Sequence, residues 1–353
     1  MFLAAALLFV PKAKAISAEK AIVMDALTGR VLYEKRADEK SLVASCTKIL
    51  TAILVCENCN VLDLITIPKE AVGIEGSSMY LQEGERLTVQ ELLYGLMLSS
   101  GNDAAVALAL HCAGSLEGFS ALMNEKAQAL GMNGSHFVNP HGLDAKDHYS
   151  TARDLAVLAA YAMENPVFAA TVGAKSVRVG QRVLQNHNRL LWQYPLAEGV
   201  KTGYTKAAGR ILVSSARRQG RRLICVTINA PSDWADHQHL LEEGFSSYEM
   251  TTLVHAGQIL GTLPVFGGTG ERVQVEAAES FAWPIYENEK ITVTLPDRGP
   301  AFAPVVEGAQ AGYAHILVEG KPVGKVAIRY CQTIEQQPAP RKNLLERLLD
   351  RIL

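Results

Sequence analysis

The sequence lacks a strong excess of charge of either sign, and it lacks any hydrophobic run long enough to cross a membrane. Its 34 lysines and arginines nearly balance 36 aspartates and glutamates, which gives a net charge of −2 at pH 7. Binding of nucleic acid requires a basic surface, so we expect no nucleic acid among the partners. The 353 residues, 48% of them hydrophobic, suffice for one large domain and a smaller one that act on a small molecule or a polymer.

Cysteine is sparse, and histidine is not arranged for metal binding. Six cysteines are scattered along the chain, namely Cys46, Cys56, Cys59, Cys112, Cys225 and Cys331, which excludes a small disulfide-rich fold. Cys56 and Cys59 have CxxC spacing without the second pair that a zinc site needs, so this spacing reflects chance or a local disulfide. His237 and His239 lie two residues apart, and no HExxH motif occurs. We therefore expect neither a metal nor another cofactor.

The first fifteen residues resemble a signal peptide. Their apolar run is followed by Ala13-Lys14-Ala15, the small-x-small pattern of a signal peptidase site. The run is too short to span a bilayer, and it ends at Pro11. We predict that residues 1–15 are a signal peptide and that the protein is exported, with a buried N-terminal helix as the alternative.

Residues 16–262 are predicted to form an α+β domain. Ala21–Lys35 and Arg210–Ala230 each contain two strand-like runs around a turn, so we expect two hairpins of one antiparallel sheet. Between them, Thr88-x-x-Glu91 and Thr151-x-x-Asp154 each precede an apolar stripe with helical spacing, as in a capping box. Strands at both ends with helices in the middle are typical of an antiparallel sheet covered by helices.

The remainder of the chain is predicted to contain a second domain and a terminal helix. Residues 263–335 show short alternating runs without a helical period, which predicts a small all-β domain. Residues 336–353 comprise a proline-containing linker and an amphipathic helix, Arg341–Leu353, with an apolar stripe and a basic polar side. At about 20 Å this helix is too short to cross a membrane. We predict that it binds a membrane surface; the alternative is docking on its own domain or on another copy.

Ser45 and Lys48 are the first candidate catalytic residues. A serine hydroxyl becomes an effective nucleophile when a neighbouring base takes its proton, and lysine can be that base if burial and nearby positive charge lower its pKa. Residues three apart share one face of a helix, and the apolar run after Lys48 predicts a buried helix. Ser-x-x-Lys by itself is a weak motif, because a lysine near a helix start often reaches solvent.

Ser100-Gly101-Asn102 is a second motif, between two predicted helices. Ser100 offers another hydroxyl that can relay a proton, and Asn102 offers an amide that can hydrogen-bond a substrate peptide group. The motif alone is an ordinary turn. It becomes informative because it follows Ser-x-x-Lys and precedes a third motif in a suitable local structure.

The third motif, Lys201-Thr202-Gly203, opens a predicted strand and is followed by Thr205. Lys201 supplies a positive charge suited to a substrate carboxylate, and its repulsion favours the neutral form of Lys48. Gly203 leaves the strand edge bare, so that a substrate backbone can approach. The three motifs together predict one shared site.

The order Ser-x-x-Lys, Ser-x-Asn, Lys-Thr-Gly resembles that of the low-molecular-mass penicillin-binding proteins that are D-alanyl-D-alanine carboxypeptidases. The resemblance runs from about Ala21 to Tyr330, and the sequences of Phe137–Ala156 and Gly199–Arg210 are close to those usual in the family. It implies a penicillin-binding/β-lactamase-like catalytic domain and removal of the terminal D-alanine from peptidoglycan pentapeptides. It also implies inhibition by β-lactam antibiotics and a location at the outer face of the cytoplasmic membrane, in the cell envelope.

The resemblance also implies a role for each motif residue. Ser45 would form the acyl-enzyme and Lys48 would accept its proton. The remaining roles are proton transfer by Ser100, substrate binding by Asn102, Lys201, Thr202, Gly203 and Thr205, and an oxyanion hole made by the backbone N–H groups of Ser45 and Tyr204. Lys201 and Thr205 in particular would hold the terminal carboxylate of the substrate.

Three alternatives stay open at this point. A class A β-lactamase shares the nucleophile but needs a Glu-x-x-Leu-Asn segment between the second and third motifs, and none occurs between Asn102 and Lys201. A penicillin-binding sensor or structural protein would not hydrolyse its acyl-enzyme, and the intact motifs argue against this alternative. Cys46 could replace Ser45 as the nucleophile, although no histidine lies near it in the sequence.

Overall fold

The protein is described by a computed structural model that covers residues 16–296 and 300–338. Two compact units divide between Ser247 and Tyr248, whereas the sequence predicts a boundary after residue 262. The division lies earlier because the segment from Tyr248 onward already forms strands that pair within the second unit. The predicted signal peptide and the predicted helix Arg341–Leu353 lie outside the described residues.

The first unit contains an antiparallel five-stranded sheet in the order β2-β1-β9-β8-β7. Its elements are β1 Lys20–Asp25, β2 Val31–Lys35, α1 Lys48–Asn58, β3 Leu64–Thr66, β4 Arg86–Thr88, α2 Val89–Met97, α3 Asn102–Ala113, α4 Leu116–Ala129, α5 Ala152–Ala162, α6 Pro166–Gly173, β5 Ser176–Val179, β6 Arg182–Gln185, α7 Leu190–Gln193, β7 Ala197–Thr205, β8 Gly209–Arg218, β9 Arg221–Ile228 and α8 Asp233–Ser247.

Both predicted hairpins are present in this sheet, so the α+β prediction is confirmed. Strand β8 turns into β9 through Gln219 and Gly220, both of which have positive φ angles. Two consecutive residues with positive φ match the right-handed twist of a two-residue hairpin. The turn therefore sets the register of the two central strands of the sheet.

Two helix starts follow the predicted capping pattern to different extents. Thr88 and Glu91 form a complete capping box at α2, with each side chain bonded to the other's backbone N–H. Thr151 accepts a hydrogen bond from the Asp154 backbone N–H at α5. The Asp154 carboxylate, however, accepts hydrogen bonds from Gly134 N and from the Ser135 hydroxyl. The second capping box therefore has only the Thr151 hydrogen bond, because the Asp154 carboxylate instead fixes the loop before the helix.

Each face of the sheet is covered by helices. In β1, Ile22 and Met24 belong to the main hydrophobic core with α1, while Ala21 and Val23 pack on the opposite face with residues of α8. This alternation is expected because successive strand residues point to opposite faces. The segment from Ile49 to Val55 is buried throughout, which confirms the predicted buried helix. Lys48 therefore begins a helix that lies in the centre of the core.

The second unit is all-β among its described residues, as predicted. A six-stranded sheet in the order β14-β16-β17-β12-β11-β15 accompanies a separate β10-β13 pair. Its strands are β10 Tyr248–Val254, β11 Ile259–Phe266, β12 Arg272–Ala277, β13 Phe281–Tyr286, β14 Ile291–Thr294, β15 Ala301–Phe302, β16 Gln310–Val318 and β17 Lys321–Tyr330. In the part of the chain that is described, no single helix is long and apolar enough to span a membrane, although two bent helix pairs meet that criterion jointly.

Candidate active site

Ser45 lies in a tight turn rather than in the helix that the sequence predicted. Residues Ala44–Thr47 form one turn of 3₁₀ helix, and α1 begins only at Lys48. Ala44 has a positive φ of 45°, which is an unfavourable conformation for a residue with a Cβ atom. The consequence of the pattern is nevertheless as predicted, because the Lys48 Nζ lies 2.9 Å from the Ser45 Oγ.

Lys48 is fully buried and makes three polar contacts. Besides Ser45, its Nζ contacts the Oδ1 of Asn102 at 2.7 Å and the carbonyl oxygen of His141 at 2.6 Å. Burial lowers the pKa of Lys48 well below its usual value, and the positive charge of Lys201 lowers this pKa further. A neutral amine has two N–H groups and one lone pair. If the N–H groups point to Asn102 and His141, the lone pair faces the Ser45 hydroxyl.

Asn102 holds Lys48 instead of facing the cavity. Its Oδ1 accepts from Lys48, and its Nδ2 donates to the carbonyl oxygen of Glu75. Only 4% of the residue is exposed. The substrate contact that the sequence suggested for this amide is therefore replaced, in this structure, by contacts within the protein.

Ser100 lines the same cavity as Ser45. It connects α2 to α3 in a left-handed conformation, with a φ of 59°, and it is almost completely buried. Non-glycine residues adopt this conformation rarely, and they do so preferentially at functional sites. The structure thus brings the second predicted hydroxyl to the same cavity as the first.

Strand β7 carries the third motif along the edge of the sheet. Thr202, Gly203 and Tyr204 line the cavity. Lys201 is buried behind them, with its Nζ 2.9 Å from the carbonyl oxygen of Thr202. Burial lowers the pKa of Lys201 to about 8. Lys201 therefore contributes its charge as a buried group next to the lining residues of β7, and this charge depends on pH in the range near 8.

Gly203 has a packing contact that the sequence did not suggest, and Thr205 has a different partner from the suggested one. A Cβ atom at Gly203 would lie 3.2 Å from both the Cys46 Sγ and the Val43 carbonyl oxygen, so the glycine lets β7 pack against the Ser45 turn. Thr205 is not among the residues that line the cavity. Its Oγ1 lies 3.2 Å from an Asp144 carboxylate oxygen and accepts a hydrogen bond from Ala208 N. The Thr205 hydroxyl is therefore engaged with Asp144 and Ala208 in this structure.

Cys46 is a poor candidate for the nucleophile. The residue is fully buried, and its Sγ faces the carbonyl oxygen of Lys201 at 3.9 Å. Burial raises the pKa of this thiol to about 12, so it stays protonated and unreactive. Ser45, by contrast, reaches the cavity.

The cavity in front of Ser45 is large, with a volume of about 1090 Å³. Tyr80, Trp192 and Tyr204 lie at its border and remain substantially exposed. Ligand sites in proteins typically have volumes of roughly 300–1,000 Å³ and are lined by aromatic and polar groups. The cavity can therefore hold a segment of several residues rather than a single amino acid.

Sequence reasoning missed Asp103, which fixes one wall of this cavity. Its buried carboxylate accepts hydrogen bonds from the Ser78 hydroxyl at 2.6 Å, from Met79 N at 3.1 Å and from Leu81 N at 3.0 Å. These bonds hold the loop that carries Tyr80. The position of Asp103 in the sequence could have indicated its importance, because this carboxylate directly follows Asn102 in the first turn of an apolar helix.

Two histidines after α4 were also missed as functional candidates. The carbonyl oxygen of His141 binds Lys48, as described above. His148 accepts a hydrogen bond from Val138 N at its Nδ1, and its Nε2 lies 2.8 Å from the Thr47 Oγ1. Burial lowers the pKa of His148 to about 4, so this ring is neutral near pH 7 and Nε2 carries the proton. The loop thereby contacts both the Ser45 turn and Lys48.

Comparison with known proteins gives consistent matches over both units. Residues 8–232 match the family described as D-alanyl-D-alanine carboxypeptidase, and residues 248–336 match the penicillin-binding protein 5 C-terminal domain. The D-alanyl-D-alanine carboxypeptidase DacC of Escherichia coli (strain K12) is 34% identical, with 92% of this chain and 86% of the relative covered. DacF of Bacillus subtilis (strain 168) is 31% identical, with 86% and 82% covered. Penicillin binding protein 5 from Haemophilus influenzae has a similar structure, with a TM-score of 0.78, 28% identity, and 92% and 99% covered.

Proposed function

The chain belongs to the D-alanyl-D-alanine carboxypeptidase family, and we propose that it performs the reaction of this family through an acyl-enzyme on Ser45. It is a serine D-alanyl-D-alanine carboxypeptidase that acts on peptidoglycan, and penicillin binding is characteristic of its family. The family predicted from the three motifs is therefore confirmed. The observation that best supports Ser45 as the nucleophile is its 2.9 Å contact with a fully buried Lys48.

Acylation begins with transfer of the Ser45 hydroxyl proton to the lone pair of Lys48. The Oγ then attacks the carbonyl carbon of the penultimate D-alanine, and the carbonyl oxygen becomes an oxyanion. Backbone N–H groups of Ser45 and Tyr204 stabilise this oxyanion, and each such donor typically contributes about 2.7–4 kcal/mol. The C–N bond then breaks, and the amine of terminal D-alanine takes the proton from Lys48, directly or through the Ser100 hydroxyl.

Deacylation uses the same groups in the reverse sense. Lys48, neutral again, accepts a proton from a water molecule that attacks the ester carbonyl of the acyl-enzyme. The second tetrahedral intermediate uses the same oxyanion site. The ester C–O bond then breaks, Ser45 regains a proton from Lys48, and the peptide shortened by one D-alanine leaves.

The edge position of β7 supports binding of an extended peptide beside Ser45. Because β7 is the last strand of its sheet, backbone groups on its outer side can pair with a substrate strand. Lys201 and the Thr202 hydroxyl favour a terminal carboxylate at this end of the cavity. Thr205 takes part only if substrate binding separates it from Asp144, and Asn102 acts mainly by orienting Lys48.

Mass spectrometry of the protein after incubation with penicillin tests the assignment of Ser45. We expect a penicilloyl adduct on the peptide that contains Ser45, no adduct for Ser45→Ala, and little adduct for Lys48→Ala. Cys46→Ala is the matched control at the neighbouring position and should keep the adduct. An adduct on Cys46, or normal acylation of Lys48→Ala, would refute the assignment.

Release of D-alanine from a pentapeptide separates the alternatives on the same samples. An adduct with D-alanine release identifies the carboxypeptidase. An adduct without release identifies a sensor, and rapid return to the unmodified mass after penicillin identifies a β-lactamase.

We also propose that the protein is exported to the cell envelope and attached to the outer face of the cytoplasmic membrane. Relatives that act on peptidoglycan support an exported location, and the apolar stripe and basic side of Arg341–Leu353 support membrane attachment. Removal of Arg341–Leu353 should lower binding to anionic vesicles and leave D-alanine release intact. Equal vesicle binding by both forms would remove the attachment proposal.

A further inference from the structure

Three thiols lie together at the end of α1 and α3 that is remote from Ser45. Cys56 is in the last turn of α1, Cys59 is the first residue after this helix, and Cys112 is in the last turn of α3. The two helices pack against each other, and all three residues contact the main hydrophobic core. Each is only partly buried, so a reagent can reach this cluster from solvent.

Cys59 and Cys112 lie at the adjacent ends of two helices that pack on each other. Cys59 has extended backbone angles, φ −122° and ψ 147°, so it has left the helix and does not share the face of Cys56. The segment that follows Cys59 approaches the end of α3 beside Cys112, where Asp63 and His111 are 3.8 Å apart, and the Cys59 and Cys112 thiols shift each other's pKa. The structure thus pairs Cys59 with a residue 53 positions away, which the CxxC spacing did not indicate.

The same two helices begin at Lys48 and at the residue that positions it, Asn102. Lys48 is the first residue of α1, Asn102 is the first residue of α3, and their side chains are 2.7 Å apart. With 11 and 12 residues the helices have nearly equal lengths, about 17 Å at 1.5 Å per residue. A link at the thiol end would therefore fix the relative position of the helices that bring Lys48 and Asn102 together.

We propose that Cys59 and Cys112 form a disulfide in the exported protein and thereby fasten α1 to α3. The proposal rests on the exported location given under the proposed function, because disulfides form and persist in oxidising compartments outside the cytoplasm. The oxidant is a disulfide, either of a small thiol or of a thiol–disulfide oxidoreductase.

The Cys112 thiolate attacks a sulfur of that oxidant, which releases one thiolate and leaves a mixed disulfide on Cys112. The deprotonated Cys59 then attacks the Cys112 sulfur, forms the new S–S bond and releases the second thiolate. Two cysteine thiols lose two electrons and two protons, and the oxidant becomes two thiols. The neighbouring Cys59 thiol lowers the pKa of Cys112, which favours Cys112 as the first attacking group. Burial raises the pKa of Cys56 to about 12, which disfavours Cys56 in either step.

Peptide mapping without reduction tests the proposal on the purified full chain after incubation with oxidised glutathione. We expect a peptide pair that links Cys59 to Cys112 and four free thiols after denaturation out of the six cysteines. A link between Cys56 and Cys59, or six free thiols, would overturn the proposal. D-alanine release is measured on the same samples and tests the proposed function independently of the thiol result.

Thermal unfolding of matched serine variants tests the fastening of the helices. Disulfides that close loops of this length typically stabilise a domain enough to raise its melting temperature by about 5–10 °C. Oxidation should raise the melting temperature of the wild type and of Cys56→Ser by this amount and leave that of Cys112→Ser unchanged. Equal shifts in Cys56→Ser and Cys112→Ser, or no shift in the wild type, would contradict the proposed link.

Discussion

Gly142 allows a loop to approach the Ser45 turn, and its replacement by alanine should affect both stability and acylation. Its φ of +89° is in the left-handed region, and an added Cβ atom would lie 1.9 Å from the Ala44 carbonyl oxygen, 2.5 Å from the Ala44 carbonyl carbon and 2.7 Å from the Thr47 Oγ1. Two of these atoms belong to the backbone, so they cannot rotate away. The loop and the turn must therefore separate.

The magnitude follows from two effects of the Gly142→Ala substitution. A left-handed conformation costs about 1–2 kcal/mol for a residue with a Cβ atom, and forcing extra volume into a packed region costs about 1–3 kcal/mol. The free energy of unfolding should fall by roughly 2–5 kcal/mol. His141 precedes this glycine and binds Lys48 through its carbonyl oxygen at 2.6 Å, so penicillin acylation should slow by about tenfold or more, equivalent to about 1.4 kcal/mol.

Gly131→Ala provides a matched control for the backbone effect. Gly131 also has a left-handed φ, +73°, but an added Cβ atom would meet no atom within 4 Å. Urea unfolding should show a loss of about 1–2 kcal/mol, and acylation measured by the penicilloyl mass should be normal. Equal losses of stability and equal acylation rates in the two variants would refute the role assigned to the close approach at Gly142.

Two pH-dependent effects follow from buried bases. The pKa of Lys201 is lowered to about 8, so its charge is lost as pH rises through 8, and kcat/KM for a D-Ala-D-Ala peptide should fall by up to tenfold per pH unit above 8. The Lys201→Arg variant should lack this decrease at high pH. Identical pH profiles of the two proteins would contradict the role of the charge. Burial lowers the pKa of His237 to about 3, below the unfolded value near 6.5, so stability is lost as pH falls below 6.5. His237→Gln should reduce this slope by about 1.4 kcal/mol per pH unit, and an unchanged slope in urea unfolding would show that His237 is not the group responsible.

The sequence was sufficient to predict structural features that depend on residues close together in the chain. The Gln219-Gly220 turn, the Thr88–Glu91 box and the buried run after Lys48 each depend on local spacing, and all three are present. The side chains of Ser45 and Lys48 also meet as predicted. A spacing of three positions brings two side chains to the same side of a 3₁₀ turn followed by a helix, just as it does in a continuous helix.

Features that depend on distant residues could not be predicted in the same way. Nothing local to Asn102 indicates that its amide binds Lys48, 54 positions earlier, rather than a substrate. The backbone carbonyl of His141 has no residue-type signature at all, since every residue has one. Thr205 fits the motif spacing, yet its partner Asp144 comes from a separate loop. The start of the second unit was misplaced because strands such as β10 pair with later parts of the chain.

The adjacency of Asn102 and Asp103 at the first turn of α3 restricts how this enzyme can change during evolution. Asn102 anchors Lys48, and Asp103 anchors the loop that shapes the cavity. A tilt of α3 that widens the cavity for a bulkier peptide substrate therefore also displaces Lys48, the proposed base. Selection for a new substrate, or for escape from a β-lactam, will act through this helix only at the expense of turnover. Successful variants should accumulate instead at Trp192 and Tyr204, which line the same cavity from α7 and β7.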